Sequence, residues 1–299
     1  MSSIRTLRTF LAVARHGSFA AAGKEIGLTA AAVGQQIRVL EEEWHQTLFD
    51  RSGRSIVLNT AGRGRVAPVQ ELLARYEALA VRPGVEPLGG TVVMGALVSA
   101  LMGAFADCLW ALKKRYPTLE VTLLAGQSAD FARRVERGEL DAAVVTQPPE
   151  RLAARLMWTP LYHEPMVMIV PRRPHFDLPE RPVDILTRCP FIRFDRHLWT
   201  GQLVDEVLAT LGTPVQDAME LNSVEAIIAL VRQGFGISIV PQLANVQWSR
   251  DRALQIVPLH GVDVQRHVGL LERRQHSRQG FTRAIKDHFP QGPAPRDPP

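Results

Sequence analysis

The sequence predicts two units in series, a helical N-terminal unit carrying a small β-hairpin and a larger α/β unit behind it. Three observations point there. Short helical patterns separated by glycine turns fill the stretch up to Leu40, a Pro/Gly-rich break stands at 82–90, and beyond it apolar strand-like runs alternate with helical patterns. At 299 residues the chain exceeds the usual size of one compact domain, and 46% hydrophobic residues suffice for more than one core.

Leu7, Phe10, Leu11 and Ala14 recur at i, i+3, i+4 and i+7, the stripe of a helix buried on one side, and Gly17 ends it. Ser18 can cap a second helix, Phe19 to Ile26, whose alanines allow close approach. After the Gly27-Leu28 turn, Thr29 is placed to cap a third helix through Val33, Ile37 and Leu40. Three short helices with glycine turns outline a helix-turn-helix. Leu48 to Leu58 holds two apolar stretches around a Ser-Gly turn flanked by Arg51 and Arg54, which reads as a hairpin wing. Thr60 opens a longer helix in which Val66, Val69, Leu73, Tyr76 and Ala80 keep a/d spacing over two heptads, suited to pairing with a second copy, and Pro68 is placed to bend it. The alternative is an ordinary amphipathic surface helix.

Past the break the pattern gives a strand at Thr91–Met94 and a helix to Tyr116, a strand at Glu120–Leu124 and a helix to Arg137, then a strand at Asp141–Val145. Strands at Pro165–Val170, Phe191–Phe194 and Gly236–Val240 follow, with helices at Gly201–Leu211 and Ser223–Gln233. Such alternation predicts a sheet covered by helices. The tail from Pro290 is proline-rich and expected to be disordered.

Charge is unevenly spread. Residues 1–65 hold nine basic groups against five acidic ones, whereas the remainder holds 26 against 25, so the net +5 sits mainly at the N-terminal end. A polyanion partner is expected there. No apolar run approaches the roughly 20 residues of a membrane span, and Thr9–Ala14 is too short for a signal peptide, so a cytoplasmic protein is expected. Cys108 and Cys189 are the only cysteines and form no CxxC, which leaves two inert buried thiols or a redox pair and no zinc site. No G-x-S-x-G, P-loop, H-E-x-x-H or His/Cys metal spacing occurs, so an enzyme, a metal and a cofactor are not expected.

Several stretches together carry a resemblance. Leu7 to Ala14, Gly17-Ser18-Phe19 with Ala21-Ala22, Gln36 to Glu41, Leu48 to Arg51 and Thr60-Ala61-Gly62 resemble the signature of LysR-type transcriptional regulators. Arg115-Tyr116-Pro117, Gly138 to Asp141, and Gly234 to Ile237 through Pro241 follow in that family's order, so the likeness covers roughly Leu7 to Phe289. The resemblance implies a winged helix-turn-helix at 1–59, a linker and dimerisation helix with hinge at 60–88, and a two-lobed α/β effector-binding domain at 89–290 resembling type 2 periplasmic solute-binding proteins. Lobe I would comprise 89–161 and 267–290, lobe II 162–266, with 291–299 as the tail. The implied function is transcription regulation, as activator or repressor, with double-stranded operator DNA, a second copy in a homodimer or homotetramer, a small-molecule effector and RNA polymerase as partners, and no membrane. The rival readings are a solute-binding-like sensor and an α/β enzyme, neither reading DNA.

In such a fold the third helix enters the major groove with its N-terminal residues at base edges, while wing and cap residues hold phosphates. The candidates are Thr29, Ala30, Ala31, Gly34, Gln35, Gln36 and Arg38 on or before that helix, Ser18 at a cap, and Arg51 and Arg54 on the wing. Where relatives commonly carry Ser-Gln-Pro-Ala-Val-Ser, this chain has Thr29-Ala30-Ala31-Ala32-Val33-Gly34. Either thymine-methyl contacts, DNA shape and the wing do the reading, or Gln35 and Arg38 carry more of it. His45 also replaces the glycine usual at its turn.

Ligands in open α/β sheets collect at strand carboxyl ends and helix N-termini, where free N–H groups favour anions. Ser99, Ala100, Gln127, Ser128, Thr146 and Gln147 follow strands, and Thr200 and Ser223 begin helices. Arg193 and Arg196 could grip a carboxylate by a guanidinium fork, which makes a small organic acid or similar anion the expected effector. Alternatively the hydroxyls only cap helices, and Asp195 pairs with an arginine.

Overall fold

The structure is a computed structural model that describes residues 3–52, 55–79, 90–244 and 246–289. Arg54, Ala80, most of the proposed hinge and the 291–299 tail lie outside the described residues.

Helices α1 (Ile4–His16), α2 (Phe19–Ile26) and α3 (Ala30–Glu43) start where the sequence places them. Ser3, Ser18 and Thr29 each accept a hydrogen bond from the backbone N–H three residues on, satisfying a donor the helix leaves open. Strands β1 (Phe49–Ser52) and β2 (Ser55–Leu58) pair antiparallel as the wing. The wing is docked twice: Ile56 N–H donates to Gly17 O, and Glu41 Oε1 accepts from Leu48 N at 2.7 Å. A glutamate on α3 thereby fixes the wing's base against the helix beside it.

The long helix α4 (Thr60–Leu79) contains Pro68 and begins after Asn59, whose Oδ1 accepts from Gly62 N. Its heptad stripe does not face outward. Val66, Val69 and Leu73 are buried in one core with Leu7, Phe10, Val13, Ile37 and Leu40, because α4 lies across α1. Those three positions are therefore corrected from dimer contacts to the core of the N-terminal unit. Of the five candidates, Tyr76 remains exposed, and Leu72 joins it one turn away.

The α/β unit has two lobes. In the first, β3 (Gly90–Ala96) lies between β4 (Leu119–Ala125) and β5 (Ala142–Thr146), parallel to both. The helix expected after β3 is broken into α5 (Val98–Leu101) and α6 (Ala104–Arg115) at Gly103, where a Cβ would meet Ala244 O at 2.4 Å. Helix α7 (Ser128–Glu136) covers the other face. Two long strands, β6 (Leu156–Pro171) and the later β11 (Gln265–Arg273), run antiparallel from this lobe into the next.

Lobe II is threaded between them: α8 (Pro182–Arg188), β7 (Pro190–Phe194), α9 (Trp199–Leu211), β8 (Gln216–Leu221), α10 (Val224–Arg232), β9 (Ser238–Pro241) and β10 (Leu254–Pro258). The second half of β6 pairs with β9 and β10, β7 pairs in parallel with β8, and a bridge from Phe191 to Ile237 joins the two sets. Helix α11 (Gln279–His288) returns to lobe I. The cores on the two faces of the lobe I sheet are separate from the core of lobe II.

Where the crossover strands leave lobe I, Glu164 and Arg266 face each other as cross-strand partners, both 1% exposed. Arg266 grips Glu164 Oε2 through Nε and a terminal nitrogen, and its other terminal nitrogen donates to Ser99 Oγ. Glu164 Oε1 accepts from Ala244 N at 2.9 Å. One ion pair thus holds an element of each lobe to the strands that join them.

Candidate DNA interface and effector cleft

Helix α3 presents Ala31, Gln35 and Arg38 on one exposed face at i, i+4 and i+7, with Ala30 exposed beside the Thr29 cap. Two other candidates point inward. Gly34 is buried against the Phe19 ring, 3.5 Å from where its Cβ would be, so it serves the approach of α3 to α2. Gln36 Oε1 accepts from Thr9 Oγ1 at 2.6 Å and bolts α3 to α1. Ser18 is a half-buried cap. Arg51 lies on β1, but its side chain, like all of Arg54, falls outside what the structure describes. His45 has φ 50°, the one non-glycine residue with positive φ among the described residues, and Gln46 N donates to Glu41 O behind it. The sequence reading of that turn identifies this departure from the expected glycine.

In the α/β unit the lobes meet through polar groups. Thr146, ending β5, and Thr200, in the first turn of α9, place their hydroxyl oxygens 3.3 Å apart across the lobes. Ser128 Oγ, opening α7, accepts from Thr146 N at 3.2 Å. Gln127 Nε2 donates to Asn222 O at 2.8 Å, again from lobe I to lobe II. Trp199 reaches over to pack against the lobe I core. The N-termini of α7 and α9 therefore converge on one buried cluster of hydroxyls.

The other effector candidates are employed elsewhere. Ala100 is buried in the lobe I core, and Ser99 Oγ accepts from Arg266. Ser223 Oγ caps α10 and donates to Glu225 Oε2. Gln147 is half-buried, its N–H donating to His267 O. Arg193, only 8% exposed at its side chain, is paired with Asp205 and Asp217 and lies over the Phe191 ring, while Arg196 donates to the second oxygen of Asp217. Their charge is neutralised inside lobe II, so the forked carboxylate grip is corrected to an internal ion-pair cluster. Asp205 and Asp217 carried no visible pattern, being 12 and 24 positions from Arg193. Asn222 contributes through its backbone, which no side-chain pattern announces.

Cys108 and Cys189 are both buried, one in each lobe's core. Burial pushes the Cys108 thiol up to about 12 and raises Cys189 too, which favours the protonated thiol over the thiolate in both. Among the described residues no group of three or more His, Cys, Asp or Glu could hold a metal ion, and no helix is long and apolar enough to cross a membrane.

Comparison with known proteins covers both units. Residues 4–63 match the family described as bacterial regulatory helix-turn-helix protein, lysR family, and residues 86–292 match the LysR substrate binding domain. A probable RuBisCO transcriptional regulator of Cyanophora paradoxa is 29% identical over 286 residues, covering 92% of this chain and 88% of that protein. The HTH-type transcriptional regulator YnfL of Escherichia coli (strain K12) is 27% identical over 302 residues, covering 96% and 97%. Among solved structures, a full-length OxyR variant from Pseudomonas aeruginosa superposes with TM-score 0.78 at 19% identity, covering 96% of this chain and 94% of that one. Full-length CbnR in complex with its target DNA gives TM-score 0.56 at 19% identity, covering 96% and 99%.

Proposed function

Since the chain belongs to the LysR family of bacterial helix-turn-helix transcriptional regulators, we propose that it is a cytoplasmic operator-binding protein whose DNA affinity is set by a small polar organic acid held between its lobes. The observation that carries the effector reading is the buried set of Ser128, Thr146 and Thr200, where two helix N-termini from different lobes meet. Hydroxyls and helix N–H groups stabilise a carboxylate without a cation. This replaces the two arginines, whose charge is already used. A ligand here touches both lobes, so its affinity differs between their arrangements, which is what any shift of equilibrium requires.

On the DNA side, Ala31, Gln35 and Arg38 are the groove-facing set, with Arg51 and Arg54 proposed as phosphate contacts of the wing. The exposed pair Leu72 and Tyr76 on α4 is proposed as the dimer stripe, since half-site recognition needs two recognition helices related by two-fold symmetry. The test is fluorescence anisotropy of the full chain on its own upstream DNA, across a salt series and with carboxylates added. Affinity should fall steeply with salt, and Thr146→Val and Thr200→Val should blunt the carboxylate response while leaving effector-free binding intact. A carboxylate response identical in both variants refutes the cleft assignment, and salt-independent binding refutes the DNA reading.

A further inference from the structure

We propose a second small-molecule site on lobe II, separate from the cleft, that takes an amphipathic carboxylate. A pocket of about 520 Å³ opens between the start of the lobe II half of β6, strand β10 and the two loops that follow β9 and β10. Its walls are apolar, with Met166, Val167, Trp248, Ile256, Leu259 and Val262 among them, and it shares no lining residue with the Ser128, Thr146 and Thr200 cluster. Size and lining fall in the range of pockets that hold small ligands: mostly apolar, with a few polar groups to orient the guest.

The polar groups decide the ligand's charge. Arg172, Gln242 and Asp251 complete the lining. Asp251 is already spent, its Oδ2 accepting from Arg232 Nε at 2.7 Å and its Oδ1 from Ala253 N at 2.9 Å. The Arg172 side chain donates through Nε to Leu254 O at 3.1 Å, and its terminal nitrogens bond to none of the described residues. Arg250 and Arg252 flank Asp251 in the chain, and both are exposed. With Asp251 paired to Arg232, the Arg172 guanidinium is the lining charge left to meet a guest, beside an apolar interior. A molecule with an apolar body and one carboxylate satisfies both, whereas a neutral apolar guest leaves the guanidinium unused and a small hydrophilic anion leaves the walls unfilled.

The position gives the site a lever on the lobes. Pro165, on the pocket wall, directly follows Glu164 of the buried ion pair, and its carbonyl accepts from Gln242 N, also on the wall. A guest here contacts the junction strands without entering the cleft.

Calorimetric titration of the full chain with octanoate, with 1-octanol as the neutral counterpart, tests the site. One octanoate should bind per chain, at least tenfold more tightly than octanol, as expected for a charge-assisted hydrogen bond. Arg172→Gln, at an exposed position, should weaken octanoate about tenfold without changing octanol. Val262→Trp should abolish both by filling the pocket, and Thr200→Val should change neither. Octanoate affinity that survives Arg172→Gln and Val262→Trp, or that falls with Thr200→Val, overturns the proposal in favour of another site. Equal affinity for octanol overturns the carboxylate assignment, and the absence of saturable heat overturns the site.

Discussion

Replacing Glu164 with Gln should destabilise the α/β unit by about 3–5 kcal/mol, the usual cost of removing one partner from a buried ion pair. The magnitude follows from what is stranded. Arg266 is 1% exposed and directs two of its nitrogens at Glu164, so the variant leaves a guanidinium away from water with one neutral acceptor in place of a carboxylate. The amide of Ala244 keeps an acceptor only if the new side chain turns its oxygen that way, at Arg266's expense. For a unit of this size each kcal/mol moves the midpoint by about 2–4 °C, so calorimetry should show a fall of roughly 6–20 °C. Arg266→Met should cost a similar amount. The double variant should lose much less than the sum, with a coupling above about 2 kcal/mol, because neither charge then lacks a partner. Amide exchange adds a local readout, since Ala244 N–H should lose protection in Glu164→Gln ahead of the lobe cores. Single variants each costing under about 1 kcal/mol, or an additive double variant, would refute the claim that this pair holds the lobes to their connecting strands.

Three further outcomes follow from other parts of the molecule. Leu73→Asp should unfold the N-terminal unit, because Leu73 is in its core, whereas Leu72→Asp or Tyr76→Asp should leave a folded protein with weaker self-association; circular dichroism with ultracentrifugation separates the two, and a folded monomer of Leu73→Asp contradicts the packing. His45→Gly should raise stability by about 0.5–1 kcal/mol, since a left-handed residue costs roughly 1–2 kcal/mol without glycine and glycine's own entropy returns part of that; a lower melting temperature would show that the imidazole makes a compensating contact. Burial opposes ionisation of Glu272, but hydrogen bonds from His276, Lys286 and Thr282 outweigh it and hold the carboxyl at about 2. Its folded value lies below its unfolded value, so its stabilisation of roughly 3 kcal/mol is complete above about pH 4.5 and is lost as pH falls towards 2. Glu272→Gln should flatten stability across that window, which an acid titration by circular dichroism checks.

The helical unit was legible because each of its signals is local. A serine or threonine caps, a glycine stops, and apolar residues recur every turn, all within a few positions of Ser18, Thr29 and Gly17. The same locality misled the reading of α4, where Val66, Val69 and Leu73 show that one face is apolar but not what covers it. That partner is α1, some sixty positions away in the chain, and periodicity carries no record of it. In the α/β unit the lobe I strands β3, β4 and β5 announce themselves by apolar runs. Strands β8 and β11 do not. Most of β8 is exposed, and β11 buries Arg266, Glu272 and Arg273, charges that read as surface until Glu164, His276 and Lys286 are brought to them. Thr146, Ser128 and Thr200, which the fold brings together, stand out in the sequence by their position at strand and helix ends. Arg193 and Arg196 were misassigned because an arginine's availability depends on acids such as Asp205 and Asp217, which only the fold assembles.

Helix α7 connects the cleft to the rest of the chain. It begins at Ser128, whose hydroxyl holds the Thr146 amide, and runs nine residues, about 13 Å. At its far end Gly138, with φ 76°, offers its carbonyl to Gln70 Nε2 on α4, the helix built into the core of the N-terminal unit. No side chain fits at 138 while that contact stands, since a Cβ would fall 2.0 Å from Gln70 Oε1. Arg273 donates to Val135 O and Leu140 O, so the turn around Gly138 is anchored to the lobe I sheet and cannot relax alone. Under the proposed effector reading, a ligand at Ser128 and the Gln70 contact at Gly138 share one element, and any coupling between them is bounded by the difference in ligand affinity between two seatings of α7.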